Sequence, residues 1–272
     1  MTKNITTWQE FARETVLTHD LDPMYDFIYT AGKSENKGYD WACRFALHFF
    51  MFYHAGEAIQ AASYSNEEFW DYTLNTYDKV KRGTERRHYR SDKGFQATKR
   101  IKAKGLPLSV WMALQRPEYE AMMTNIKRNF IGCEIGPYFA WKAMDLLDRG
   151  LGLPVYLTLA EAAKYMPDEP RKCAATLWPD EPIPWVLEEV KDAIHDLPAP
   201  GCPDRNCSFP EAETVLCMLK GYFITKTHVI GDDIAEKHAQ LAAFPEYLQY
   251  LPPKIDLNDY QRGPLDTPTL SA

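Results

Sequence analysis

The longest apolar stretch of the chain, from Trp41 to Ala62, sets the first limit on what it can fold into. A membrane-spanning helix needs about 20 apolar residues with few or no charges. This run carries Arg44, His48, His54 and Glu57, so it reads as a buried helix over residues 40–62. Sustained apolar–polar alternation, the mark of a half-buried strand, is absent from the chain. Val and Ile together supply only 21 of 272 residues, while the helix-favouring Leu, Ala, Met, Glu and Lys dominate. The expected fold is therefore mainly α-helical. With 45% apolar and 25% charged residues the composition is that of a globular protein, which excludes disorder over most of the chain. No apolar segment follows the start Met1-Thr2-Lys3-Asn4, so no secretion signal is expected, and the six cysteines should be thiols or at most a metal site.

Periodicity and capping residues place helices over residues 7–29, with an end near Asp22-Pro23, over 40–62, and over 66–80 with Ser65 or Asn66 as N-cap. Further helices are expected over 107–116, 117–129, 138–149, 158–166, 184–196, 210–222 and 232–250. A Pro-rich passage (Pro167, Pro170, Pro179, Pro182, Pro184) separates two of them. Residues 1–251 are expected to form a single helical domain, followed by an extended or disordered tail over 252–272.

Charge is unevenly distributed. Between Lys79 and Lys104 eleven lysines and arginines face only Glu85 and Asp92, a balance of +9, so that with −7 overall the remainder carries −16. Such a patch can bind phosphate while the acidic remainder keeps the protein soluble. A solvated basic helix would have the same composition. The arginines Arg82, Arg86, Arg87 and Arg90, however, crowd near Gly83 and Gly94, which favours a loop, and guanidinium grips phosphate or carboxylate with two parallel hydrogen bonds.

The segment Ile126-Lys127-Arg128-Asn129-Phe130-Ile131-Gly132-Cys133-Glu134-Ile135-Gly136-Pro137-Tyr138-Phe139-Ala140 reads as a helix, a glycine turn and a helix restart. Backbone amides at the restart would favour an anion such as a DNA phosphate; a plain helical corner has the same local pattern. The part from Ile135 to Ala140 resembles the second half of the hairpin in helix-hairpin-helix DNA glycosylases, and the whole motif would span about residues 117–149. That family places glycine two positions before the one matching Gly136, where this chain has Glu134. It also carries Asp before Thr-His-Val soon after the hairpin, whereas here Lys226 precedes a distant Thr227-His228-Val229, and Tyr138 stands where lyase-type members have Lys. Base excision is therefore not supported by these residues.

A third constellation is Cys202, Cys207 and Cys217 with Glu213. Glu213 and Cys217 share a face of a helix that begins near Pro210. The cysteine spacing is unlike common structural zinc sites, and a buried thiol is the expectation for Cys217. Glu213, amid Val215 and Leu216, should be partly buried and need a partner. It is a candidate general base or amine binder; a structural Glu–Arg pair is the other reading.

The Arg82–Arg90 run, the Gly136-Pro137-Tyr138 hairpin and the stretch Pro210-Glu211-Ala212-Glu213-Thr214-Val215-Leu216-Cys217, in that order, resemble the α-glutamyl/putrescinyl-thymine pyrophosphorylase superfamily, and within it the bacteriophage amino acid:DNA transferases. The resemblance covers roughly residues 40 to 240. It implies a glycosylase-like helical fold and a phage-encoded enzyme in the bacterial host cytoplasm. The implied reaction replaces the pyrophosphate of pyrophosphorylated 5-hydroxymethyluracil in double-stranded DNA with a free amino acid such as glycine or serine. Under that reading Arg82, Arg86, Arg87, Arg90 and Tyr89 bind pyrophosphate or the amino acid, and Glu213 or Glu85 takes the amine proton. Gly132, Gly136, Tyr138, Lys127, Arg128, Lys99 and Arg100 hold DNA, whose target base flips out of the stack. No resident cofactor or metal is implied, although a divalent ion could accompany the pyrophosphate. A glycosylase acting on a modified base and a non-catalytic DNA-binding protein are the alternatives.

Overall fold

The computed structural model describes residues 3–83 and 92–262. Among them lie fourteen α-helices and four short strands, so the expectation of a mainly α-helical chain holds. The chain divides into two compact units. One comprises the described parts of Met1–Asp26, Leu157–Ala239 and Leu251–Ala272, the other Phe27–Tyr156 and Gln240–Tyr250.

In the first unit, β1 (Lys3–Ile5) pairs in parallel with β4 (Tyr260–Arg262), a strand within the expected tail. The helix expected over 7–29 is two helices. α1 (Trp8–Leu17) starts at a capping box of Thr7 and Glu10, and the chain then turns through His19 and Asp22, both at positive φ. Pro23 opens α2 (Pro23–Lys33), because proline suits a first helical turn and disfavours helix in the residue before it. The unit continues with α10 (Leu159–Tyr165), α11 (Asp168–Leu177), α12 (Ile183–Asp192), α13 (Phe209–Leu219) and α14 (Asp232–Gln240). The Pro-rich passage thus contains a helix, α11: Pro170 sits in its first turn, where no intrahelical N–H is needed. A hairpin of β2 (Pro198–Ala199) and β3 (Cys202–Asn206) precedes α13.

The second unit is built on α3 (Gly38–Phe52), whose residues from Trp41 to Phe52 are buried except Arg44. The helix expected over 40–62 breaks at Tyr53, which adopts the left-handed conformation at φ 52°, and His54 caps α4 (Ala55–Ala62) by accepting the Glu57 N–H at Nδ1. Gly83 explains why the break is tolerated. Its N–H donates to the Phe52 carbonyl at 3.1 Å, and a Cβ on it would stand 2.0 Å from the Tyr53 carbonyl oxygen. Of the two expected N-cap candidates, Ser65 caps α5 (Asn66–Asn75), in a capping box with Glu68. α6 (Asp92–Lys102), α7 (Pro107–Leu114), α8 (Tyr119–Asn129) and α9 (Pro137–Asp145) follow. α7 is pinned to α3 by the Trp111 indole N–H, which donates to the Cys43 carbonyl at 3.0 Å. Beyond α14 the expected helix gives way to a 3₁₀ turn over Pro245–Tyr250, where Tyr247 stacks on Trp41 at 5.6 Å.

Candidate nucleic-acid interface

The hairpin forms between α8 and α9 as expected. α8 ends at Phe130, Gly132 turns at φ +70° and Glu134 at φ +55°, and Gly136 is the N-cap of α9 with Pro137 in its first turn. Glu134 therefore holds the left-handed geometry that glycine adopts without strain. Gly136 is exposed, and a Cβ there would meet nothing within 4 Å, so this corner leaves room for a close external approach. Ile131, at the tip, is 77% exposed. A groove of about 470 Å³ runs along the hairpin between Ile126, Lys127, Phe130, Ile131, Ile135 and Phe139.

The positive segment reaches this hairpin. Arg100, near the end of α6, lies across Gly132 and donates from Nη1 to its carbonyl at 2.9 Å. A side chain at 132 would collide with the guanidinium, because its Cβ would stand 1.9 Å from Nη1. Lys104 lies 5.5 Å from the Phe130 ring centre, and Lys99 lies 4.4 Å from that of Phe95. Lys99, Arg100, Lys104, Lys127 and Arg128 are all exposed. Tyr138 is half-buried beside Phe139, 5.7 Å between ring centres.

The remaining site residues fall in three places. Glu85, Arg86, Arg87, Tyr89 and Arg90 lie outside the described residues. Arg82 is half-buried; it donates to the carbonyls of Val80 at 3.0 Å and Tyr77 at 2.6 Å and packs over the rings of Phe52 and Tyr77. Glu213 belongs to the first unit, on α13, where it is 2% exposed with Thr214 Oγ1 3.5 Å from Oε2. The Glu–Arg pair anticipated in this region is made by its neighbour: Arg205 grips Glu211 with two 3.0 Å hydrogen bonds, and Glu211 also completes the capping box with Ser208. Cys217 is exposed, contrary to the expectation of a buried thiol, because it lies on the outward face of α13. Cys207 is buried and Cys202 half-buried, and no three His, Cys, Asp or Glu side chains among the described residues are grouped to hold a metal.

A set of buried charges just behind the hairpin was not singled out by the motifs of the sequence. Lys142, Asp145, Asp148 and Arg149 are all at most 8% exposed, and Lys142 Nζ pairs with Asp145 Oδ2 at 3.2 Å. They straddle a wide π-type turn over Leu146–Gly150 that extends α9. Such turns often mark functional or strained positions. A signal was present: Ala140-Trp141, Ala143-Met144 and Leu146-Leu147 make this helix apolar all round, so its charges had to be buried with it.

Over most of its length the chain is similar to bacteriophage transferases. It is 29% identical over 276 aligned residues to a putrescinyltransferase of Delftia phage PhiW-14, covering 94% of this chain and 86% of that protein. It is 24% identical to a glycinyltransferase of Pseudomonas phage PaMx11, covering 79% of this chain and 83% of the relative. No protein-family model matches the chain. No helix among the described residues is long and apolar enough to cross a membrane.

Proposed function

We propose that the protein modifies phage DNA by attaching a primary amine, from an amino acid or a polyamine, to a thymine-position base. The protein is a transferase. One relative is named for putrescine and the other for glycine; a primary amine is the chemistry those two compounds share. The observation that carries DNA as the acceptor is the hydrogen bond from Arg100 to Gly132, which joins the basic segment to the hairpin in one face of the second unit.

In the full reaction we infer, the amine nitrogen attacks the exocyclic carbon of pyrophosphorylated 5-hydroxymethyluracil. A carbon–nitrogen bond forms, the carbon–oxygen bond to pyrophosphate breaks, and the amine proton passes to a carboxylate. Glu213 and Glu85 are the candidates for that carboxylate. Arg86, Arg87 and Arg90 stabilise the charge that builds on the leaving group, usually the largest contribution to catalysis of this kind. The hairpin holds backbone phosphate, and Tyr138 or Ile131 fills the stack as the target base swings out. The hairpin's likeness to that of the glycosylases supports an extrahelical base, a need common to both chemistries.

Incubating the protein with pyrophosphorylated 5-hydroxymethyluracil DNA and either glycine or putrescine, then digesting to nucleosides, should yield a heavier nucleoside by mass spectrometry. Abasic sites, or unchanged nucleosides with every amine tried, would contradict the proposal. A binding prediction accompanies it. Lys127→Ala with Arg128→Ala removes two exposed cations, so the slope of log affinity against log salt should flatten by about 0.9 for each phosphate that is no longer neutralised. An unchanged slope would take the hairpin's basic face out of the DNA interface.

A further inference from the structure

The groove along the hairpin has a chemistry that phosphate binding does not explain. Its walls are the apolar side chains of Ile126, Phe130, Ile135 and Phe139, with Ile131 at the tip. Two charged residues line it, Lys127 and Glu134. Glu134 is the unexpected one, because it stands on a basic face: Arg100 lies on Gly132, two residues before it, and Lys127 shares its groove. A carboxylate there repels any phosphate that this face holds. Its backbone also sits at φ +55°, where a side chain brings strain that glycine would not.

A glycine at 134 would remove both costs. Nothing in the fold repays them, since Glu134 is exposed and makes no hydrogen bond or ion pair with any described residue. Strain retained at an exposed turn is a sign of function. DNA offers this carboxylate no cation to pair with. A small molecule can: an acid beside an apolar groove complements an aliphatic chain that ends in an ammonium. The chain covers Ile126, Ile135 and Phe139, and the ammonium donates charge-assisted hydrogen bonds to the carboxylate. The groove, at about 470 Å³, has the size of a small-molecule site.

We propose that this groove binds an aliphatic primary ammonium, with Glu134 as its counter-ion. That the bound amine is the reacting donor rests on the transferase reading; the groove's preference for an alkylammonium does not. A diamine suits the groove better than glycine. One ammonium pairs with Glu134, the methylene chain covers the apolar walls, and the second nitrogen stays free to attack. Glycine has no chain to cover those walls.

Calorimetric titration of the full chain with putrescine, and separately with glycine, tests this. The wild type should bind putrescine more tightly than glycine. Glu134→Gln keeps the size of the side chain and loses its charge, so it should weaken putrescine binding about tenfold or more. Glu134→Gly, which keeps the left-handed turn without the acid, should do the same. In the nucleoside-forming assay, Glu134→Gln should raise KM for putrescine by a similar factor. No putrescine binding to the wild type, tighter binding of glycine than of putrescine, or wild-type putrescine affinity in both variants overturns the groove as an amine site. Unchanged putrescine affinity with tightened DNA binding in the variants would also overturn it, and would assign Glu134 to the DNA interface. Putrescine binding that is lost with Glu134, but no new nucleoside in DNA from the wild type, would instead sink the transferase reading and leave the groove standing.

Discussion

Replacing Arg86 and Arg87 together by alanine should abolish nucleoside formation while leaving the far-UV circular dichroism unchanged. The two belong to a run with Arg82 and Arg90, in the part of the chain with the highest positive charge. A departing pyrophosphate gains negative charge in the transition state, and removing one preorganised donor to such charge typically costs about 10²–10³ in rate. Removing two guanidiniums should bring turnover below detection. The run includes Gly83, which is fastened to Phe52, and is followed in the chain by α6, whose Arg100 touches the hairpin. If the double variant loses its helical signal, the arginines serve the fold; if it keeps wild-type turnover, they do not serve the leaving group.

The second large effect concerns stability. Asp145→Ala removes the carboxylate paired with the buried Lys142 ammonium, and breaking a buried pair in this way costs about 3–5 kcal/mol. For a protein of this size that corresponds to a fall in Tm of about 6–20 °C. Replacing both residues by apolar ones, Lys142→Met with Asp145→Leu, should recover part of the loss, because the Lys142 ammonium is then no longer left buried without this carboxylate. A single-variant loss under about 1 kcal/mol would show that the pair does not hold the helix behind the hairpin.

Much of the helical layout could be read locally. The N-cap at Ser65, the proline restart at Pro137 and the start of α13 near Pro210 are short-range signals, and each appears where expected. The differences come from causes a local pattern does not contain. Tyr53 breaks the apolar run without a glycine or proline, because Gly83, thirty residues on, packs against its carbonyl. Pro170 has the look of a breaker and is a first-turn residue. The β1–β4 pair joins segments from opposite ends of the chain, and each strand is only three residues long.

The site was legible in part. Charge counting found the basic segment and glycine spacing found the hairpin, but only the fold shows Arg100 lying on Gly132. Glu213 was expected to need a partner from its apolar neighbours, yet the strong ion pair went to Glu211, two residues away, through Arg205 on β3. His48 has the local pattern of one more residue in an apolar helix. That neither ring nitrogen finds a hydrogen-bond partner among the described residues becomes visible only once Phe52, Phe69 and Tyr72 close around it.

The most direct measurement follows both products of one reaction: pyrophosphate released and amine-bearing nucleoside formed, from DNA containing pyrophosphorylated 5-hydroxymethyluracil. Displacement by an amine predicts that the two rise together, one pyrophosphate for each new nucleoside, and that neither appears without the amine. Pyrophosphate released without a matching nucleoside, or free base released in its place, would contradict it.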